Sequence, residues 1–168
     1  MNTSRNILIA VDGTEVSNRA VAYVADILGA CGGFRVHLLH ILPPLPSELL
    51  EVGGSEDPDV EQREEALVHD QQATWVAHAE EAARPILDRA KSILGQARVP
   101  CQAMETQCAI PINGEAIATD ILEAAQANQC GTIVVGRSSF HGLRAWFKHH
   151  IGDELIRQGE GLAIWVVE

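Results

Sequence analysis

Three features of this chain could do chemistry on a small anionic ligand. The first is Asp12, which follows the apolar run Ile7-Leu8-Ile9-Ala10-Val11 and opens the turn Asp12-Gly13-Thr14. A carboxylate at the end of a strand can accept the hydroxyls of a sugar, and it can equally serve as a turn or helix-cap residue. The second is Gly136, which ends Thr132-Ile133-Val134-Val135. A glycine there lets the backbone come close to something that a Cβ would push away. The third is the stretch from Gly131 to Gly152, which holds no acid and carries Arg137, His141, Arg144, Lys148, His149 and His150. With a formal net charge of −11 over the whole chain, that stretch is a local positive island. Ser138 and Ser139 add hydroxyl and N–H donors, so it reads as an anion site built on side-chain charge. The competing reading is a solvated basic loop that offsets the acidic surface or meets the acidic stretch 48–70.

Other chemistries find less support. His149 and His150 are adjacent and point different ways on a helix, while His37 and His40 fall on opposite faces of a strand. Neither pair has the spacing of a chelate, and no metal is expected. Cys31, Cys101, Cys108 and Cys130 are far apart with no Cys-x-x-Cys pair, which suits reduced thiols. Phe140, Trp146 and Phe147 read as core or interface anchors. There is no Gly-x-Ser-x-Gly elbow and no Walker loop, so the chain does not read as an enzyme. A nucleotide-cleaving activity would have to rest on Asp12 and the histidines.

Apolar strands alternate with amphipathic helices to position these groups, which argues for a parallel α/β sheet. The strands are expected at Ile7–Val11, Phe34–Ile41, Gln102–Cys108, Thr132–Gly136 and Leu162–Val167. Thr14 or Ser17 can cap a first helix that carries Ala20, Val21, Val24, Ile27 and Leu28 on one face. Residues 48–70 hold nine acids against the single base Arg63 and read as a mobile or partly helical excursion. A long helical pattern runs from about Glu61 to Ala97, with Pro85 expected to kink or divide it. Gly114 opens a further helix through Ile117, Ile121, Leu122 and Ala125, and a short last helix spans Ile151–Gln158.

Bulk properties narrow the function classes. The chain has 168 residues, 46% of them apolar, and a mean hydropathy of +0.03, enough for an ordinary core. A pI near 5.0 disfavours nonspecific nucleic-acid binding. No apolar run approaches the roughly 20 residues of a membrane helix. The polar start Met1-Asn2-Thr3-Ser4-Arg5-Asn6 does not read as a signal peptide, so a cytoplasmic protein with neither nucleic-acid nor membrane partners is expected.

Four segments taken in order resemble the universal stress protein family over essentially the whole chain. They are Ile7 to Glu15, then Ile121-Leu122-Glu123-Ala124-Ala125 with Gly131 to Gly136, then Ile151 to Arg157, then Leu162 to Val167. The resemblance implies a doubly wound five-stranded parallel sheet, order 3-2-1-4-5, with about four helices on both faces. It also implies a single domain over 1–168 with an acidic excursion at about 43–70. Asp12 corresponds to the family's acidic residue beside adenine and ribose, and Ile41 would offer backbone groups to the adenine edge. Members that bind ATP carry a glycine, two residues, a second glycine, nine residues and then Gly-Ser or Gly-Thr. Here those positions are Gly136, Ser139 and His149-His150, so one of three glycines remains. The implied function is a dimeric regulatory module that pairs through its last strand, acts on a protein partner, and takes AMP or ATP in the crevice at the ends of strands 1 and 4. The altered loop predicts weak or absent ATP binding, with AMP at or above ATP. The alternatives are a homodimeric partner module that binds no nucleotide, and the nucleotide-cleaving enzyme.

Overall fold

The computed structural model describes residues 5–29, 31–50, 57–111, 117–137 and 151–168. Five strands form one parallel sheet: β1 (Asn6–Ala10), β2 (Arg35–Ile41), β3 (Met104–Ala109), β4 (Thr132–Gly136) and β5 (Ala163–Val167). Their order is β3-β2-β1-β4-β5, as the resemblance implies. Four α-helices connect them: α1 (Glu15–Gly29), α2 (Pro58–Gln96), α3 (Ile117–Ala127) and α4 (Ile151–Gln158).

The near-continuous apolar runs of β1 and β4 follow from burial on both faces. Ile7 and Ile9 face α1 and α2, in a cluster with Val21, Val24, Val36, Leu38, Leu94 and Val134. Leu8 faces the other way, with Leu39, Ile121, Ile133, Val135 and Leu155 under α3 and α4. The edge strands differ. The middle of β3, Glu105 to Gln107, is exposed, and Glu105 lies 3.5 Å from Nδ1 of His37 and 3.8 Å from Arg35. A charged edge of this kind discourages pairing with another chain.

Several boundaries move from the sequence expectation. The third strand begins at Met104, because Cys101–Ala103 form a 3-10 turn after Pro100. The second begins at Arg35 and the fifth at Ala163. The long helix starts at Pro58, where Asp57 caps it by accepting from Asp59 N at 3.0 Å and the proline takes the first helical position. Thus residues 58–70 of the acidic stretch are helix. Pro85 does not divide that helix. It lies exposed on the face away from the sheet, so its ring meets solvent, and Arg84 and Glu81 pair across the same turn at 2.8 Å. The expected start of the third helix at Gly114 lies outside the described residues.

The cysteines separate by burial. Cys31 and Cys101 are exposed, whereas Cys130 is buried. Burial, helped by nearby Glu105, pushes the Cys130 thiol up to about 11. Its thiolate is therefore scarce at pH 8, and the thiolate is the reactive form. A disulfide reagent at pH 8 is expected to titrate Cys31 and Cys101 quickly and Cys130 only after denaturant is added. Fast native labelling of Cys130, located by peptide mass mapping, would contradict this packing.

Candidate functional site

A crevice of about 530 Å³ opens at the carboxyl ends of the strands. Ala10, Leu39 and Val135 reach it from the central strands, and Ile41 from the end of β2. Ile117 and Ile121 of α3 and Ile151 and Ile156 of α4 add apolar wall. Asp12, Thr14 and Ser17 supply the polar rim on the α1 side.

The turn after β1 is built by side-chain capping. Thr14 N–H donates to Asp12 Oδ1 at 2.9 Å, and the Thr14 hydroxyl donates to the same oxygen at 2.6 Å. Thr14 Oγ1 then accepts from Ser17 N at 3.2 Å, the bond that caps the first turn of α1. Ser17 Oγ donates to Thr14 O at 3.1 Å and accepts from Asp12 N at 3.4 Å. Gly13 sits at φ +79°, a conformation that L side chains rarely adopt. One oxygen of Asp12 is thus a turn acceptor, as the alternative reading held. No hydrogen bond engages Oδ2 among the described residues, and Asp12 is exposed at the crevice rim. The same carboxylate can do both jobs.

Gly136 has a packing reason of its own. A Cβ there would lie 3.0 Å from Ser17 N, from the Val16 carbonyl carbon and from Val16 Cγ1. What the strand end approaches is therefore the first turn of α1. Ile41 likewise packs its side chain against the cluster under α3 while lining the crevice. The structure brings Asp12, Ile41 and Gly136 to one cavity. Ser138, Ser139, His149 and His150 lie outside the described residues, as do His141, Arg144 and Lys148.

Two lining carboxylates, Glu168 and Asp153, were not picked out from sequence, and His40, weighed there only as half of a metal pair, lies buried nearby. Glu168 follows β5 and forms an ion pair with Arg137, which follows β4. Arg137 N also donates to Val167 O at 2.6 Å, and Arg19 Nε to Glu168 O at 3.2 Å. The pairing of Gly136 with Val167 sets 137 beside 168, a juxtaposition legible only once the sheet order is known. The other carboxylate is Asp153, in the first turn of α4. His40 is buried behind the crevice floor, with Nδ1 2.7 Å from Val11 O. That bond makes it a satisfied core histidine. Among the described residues, the crevice lining carries the carboxylates of Asp12, Asp153 and Glu168 against the one guanidinium of Arg137. No three described His, Cys, Asp or Glu side chains gather as metal ligands. No described helix is long and apolar enough to cross a membrane.

Comparison with known proteins bears on the fold. A protein of the universal stress protein family from Burkholderia pseudomallei superposes with a TM-score of 0.60 at 16% identity, over 96% of this chain and 94% of that one. A universal stress protein in complex with cAMP gives 0.60 at 15%, over 97% and 96%. The Archaeoglobus fulgidus universal stress protein in complex with dAMP gives 0.52 at 18%, over the full length of both chains. At such identities these likenesses speak for the fold. No curated protein sequence matches the chain. The model of the universal stress protein family, however, matches residues 3–160. With that match over nearly the whole sequence, and the sheet order and helices to go with it, the chain belongs to the universal stress protein family.

Proposed function

We propose that the crevice takes an adenine nucleotide of the AMP class, and that the chain works as a dimeric regulatory module whose surface responds to that ligand. The observation that carries this reading is the convergence of Asp12, Ile41 and Gly136 on one cavity at the strand ends. Its volume lies within the roughly 300–1,000 Å³ typical of small-molecule sites. Apolar walls from Ile41, Ile117, Ile121 and Ile151 suit a flat base, and Asp12 Oδ2 suits ribose hydroxyls. Two relatives of the same fold have cAMP or dAMP bound. The described charges favour a small phosphate load, because the lining sets the carboxylates of Asp12, Asp153 and Glu168 against the guanidinium of Arg137. Ligand binding would act by favouring one arrangement of the surface around the strand ends.

Calorimetry with AMP tests the site. Asp12→Ala is expected to weaken binding about tenfold, the size of one charge-assisted hydrogen bond. Asp12→Asn keeps an acceptor for Thr14 and removes the charge, so it separates turn stability from ribose recognition. Unchanged affinity in both variants would remove Asp12 from the site. No binding of AMP at millimolar concentration would leave the partner module without a nucleotide as the better reading.

The dimer rests on the open edge of β5. Val166 is 39% exposed and Ile156 beside it 61%, while Tyr23 meets Trp165 edge-on at a centroid distance of 6.1 Å. An apolar strand edge of this kind pairs readily with a second copy. Ile164 packs inward against the cluster under α3 and α4, so changing it would also disturb the core. Val166 lines the crevice and packs against Gly152 of α4, so Ala163→Lys, at an exposed β5 position outside the lining, is the cleaner variant. Sedimentation is expected to give a dimer at micromolar concentration for the natural protein and a weaker one for Ala163→Lys; a monomeric natural protein would end this part of the proposal.

A further inference from the structure

We propose that the outer half of α2 is a docking arm for a basic amphipathic helix of another protein.

The arm begins where the body ends. Ile86 is the α2 residue nearest the turn after β1, since a Cβ on Gly13 would lie 3.1 Å from its Cγ1. From there back to Pro58 the helix runs another 28 residues, about 42 Å at 1.5 Å per residue. Ala83, Leu87, Ala90 and Leu94 are buried against the body. None of the described side chains from 59 to 82 is buried. The 3-10 turn Ser47–Leu49 leans on this length, with Gln72 Nε2 donating to Leu49 O at 2.6 Å.

The arm carries a stripe and a charge. Val60, Leu67, Val68 and Trp75 fall within about 100° of one another around the helix, the width of an ordinary packing face. Val60 is 38% exposed and Leu67 58%, and Val68 and Trp75 are half-buried. Over residues 57–82 there are eight acids against Arg63 alone. Apolar stripes on otherwise polar helices bind other amphipathic helices, and the sign of the flanking charge selects the partner.

Two other occupants fit less well. A second arm of this chain would bring the same negative charge, so arm-to-arm pairing is repelled. The chain's own basic segment 138–150 is tethered at Arg137 and Ile151, both at the crevice. Fourteen Cα steps span about 50 Å, so an out-and-back path reaches about 25 Å. Measured from Ile86, which meets Gly13 beside the crevice rim, Val60 lies about 39 Å along the arm, so an occupant of the whole stripe is a separate basic helix.

Calorimetry with the full chain tests this, using a synthetic helical peptide with leucine at heptad positions a and d and lysine elsewhere. The expected result is micromolar binding, with a scramble of identical composition at least about tenfold weaker. Val60→Ser/Leu67→Ser, which leaves the charge alone, is expected to lose about tenfold while its melting temperature holds. Equal binding of the scramble, no binding at all, or full affinity in the double variant would overturn the proposal. So would a natural-protein oligomer in sedimentation that Val60→Ser/Leu67→Ser dissolves, since a second copy would then own the arm. Binding that emerges only in Arg144→Gln/Lys148→Gln would assign the arm to the chain's own basic segment and equally overturn it.

Discussion

Leu8→Ala is expected to lower the free energy of unfolding by about 2–5 kcal/mol, read from urea or thermal denaturation. Leu8 sits on the central strand with none of its surface exposed, between His37 of β2 and Ile133 of β4 in register. Its neighbours Leu39, Ile121 and Leu155 come from three other elements, which cannot all close on the space it leaves. The matching change on the edge, Thr106→Ala, is expected to stay within about 0.5 kcal/mol, because that side chain is exposed on β3. A loss below about 1 kcal/mol at Leu8 would mean the α3-side core is not packed as described.

Gly136→Val is expected to cost about 1–3 kcal/mol and to abolish AMP binding. Two of the three atoms a Cβ would crowd at 3.0 Å are backbone atoms of Val16 and Ser17. They cannot swing aside like the tip of a side chain, so the first turn of α1 must shift. That turn carries the Thr14 and Ser17 hydroxyls at the crevice rim. Stability and binding therefore fall together, and Gly136→Ala is expected to lie between. An unchanged melting temperature for Gly136→Val would contradict the close approach.

The central strands were legible because burial on both faces leaves runs such as Ile133-Val134-Val135, which few other structures require. Strand β3 was harder to place. Met104-Glu105-Thr106-Gln107 is an edge strand with little periodic signal, and the preceding Pro100 starts a 3-10 turn instead of the strand. Pro85 withholds one N–H and frees one carbonyl a turn earlier, but it lies on the solvent face, where water can take that carbonyl, so the helix is not divided there. At the site, Asp12, Ile41 and Gly136 stand at strand ends, and sheet topology alone brings strand ends together. Glu168 and Asp153 carry no such mark. The pair of Arg137 with Glu168 depends on the register of β4 with β5, which local sequence does not encode. The outer half of α2 reads as helix in the sequence, yet nothing in its periodicity tells that the body stops at Ala83.

One titration bears most directly on the crevice: AMP and ATP measured by calorimetry on the same nucleotide-stripped protein, at fixed salt. With the carboxylates of Asp12, Asp153 and Glu168 in the lining against Arg137, and with Ser139, His149 and His150 at the positions that the family resemblance assigns to glycine and a hydroxyl in members that bind ATP, AMP is expected to bind at or above ATP. ATP binding tighter than AMP by tenfold or more would contradict the light phosphate load, because the extra phosphates would then have found donors that this reading does not give them.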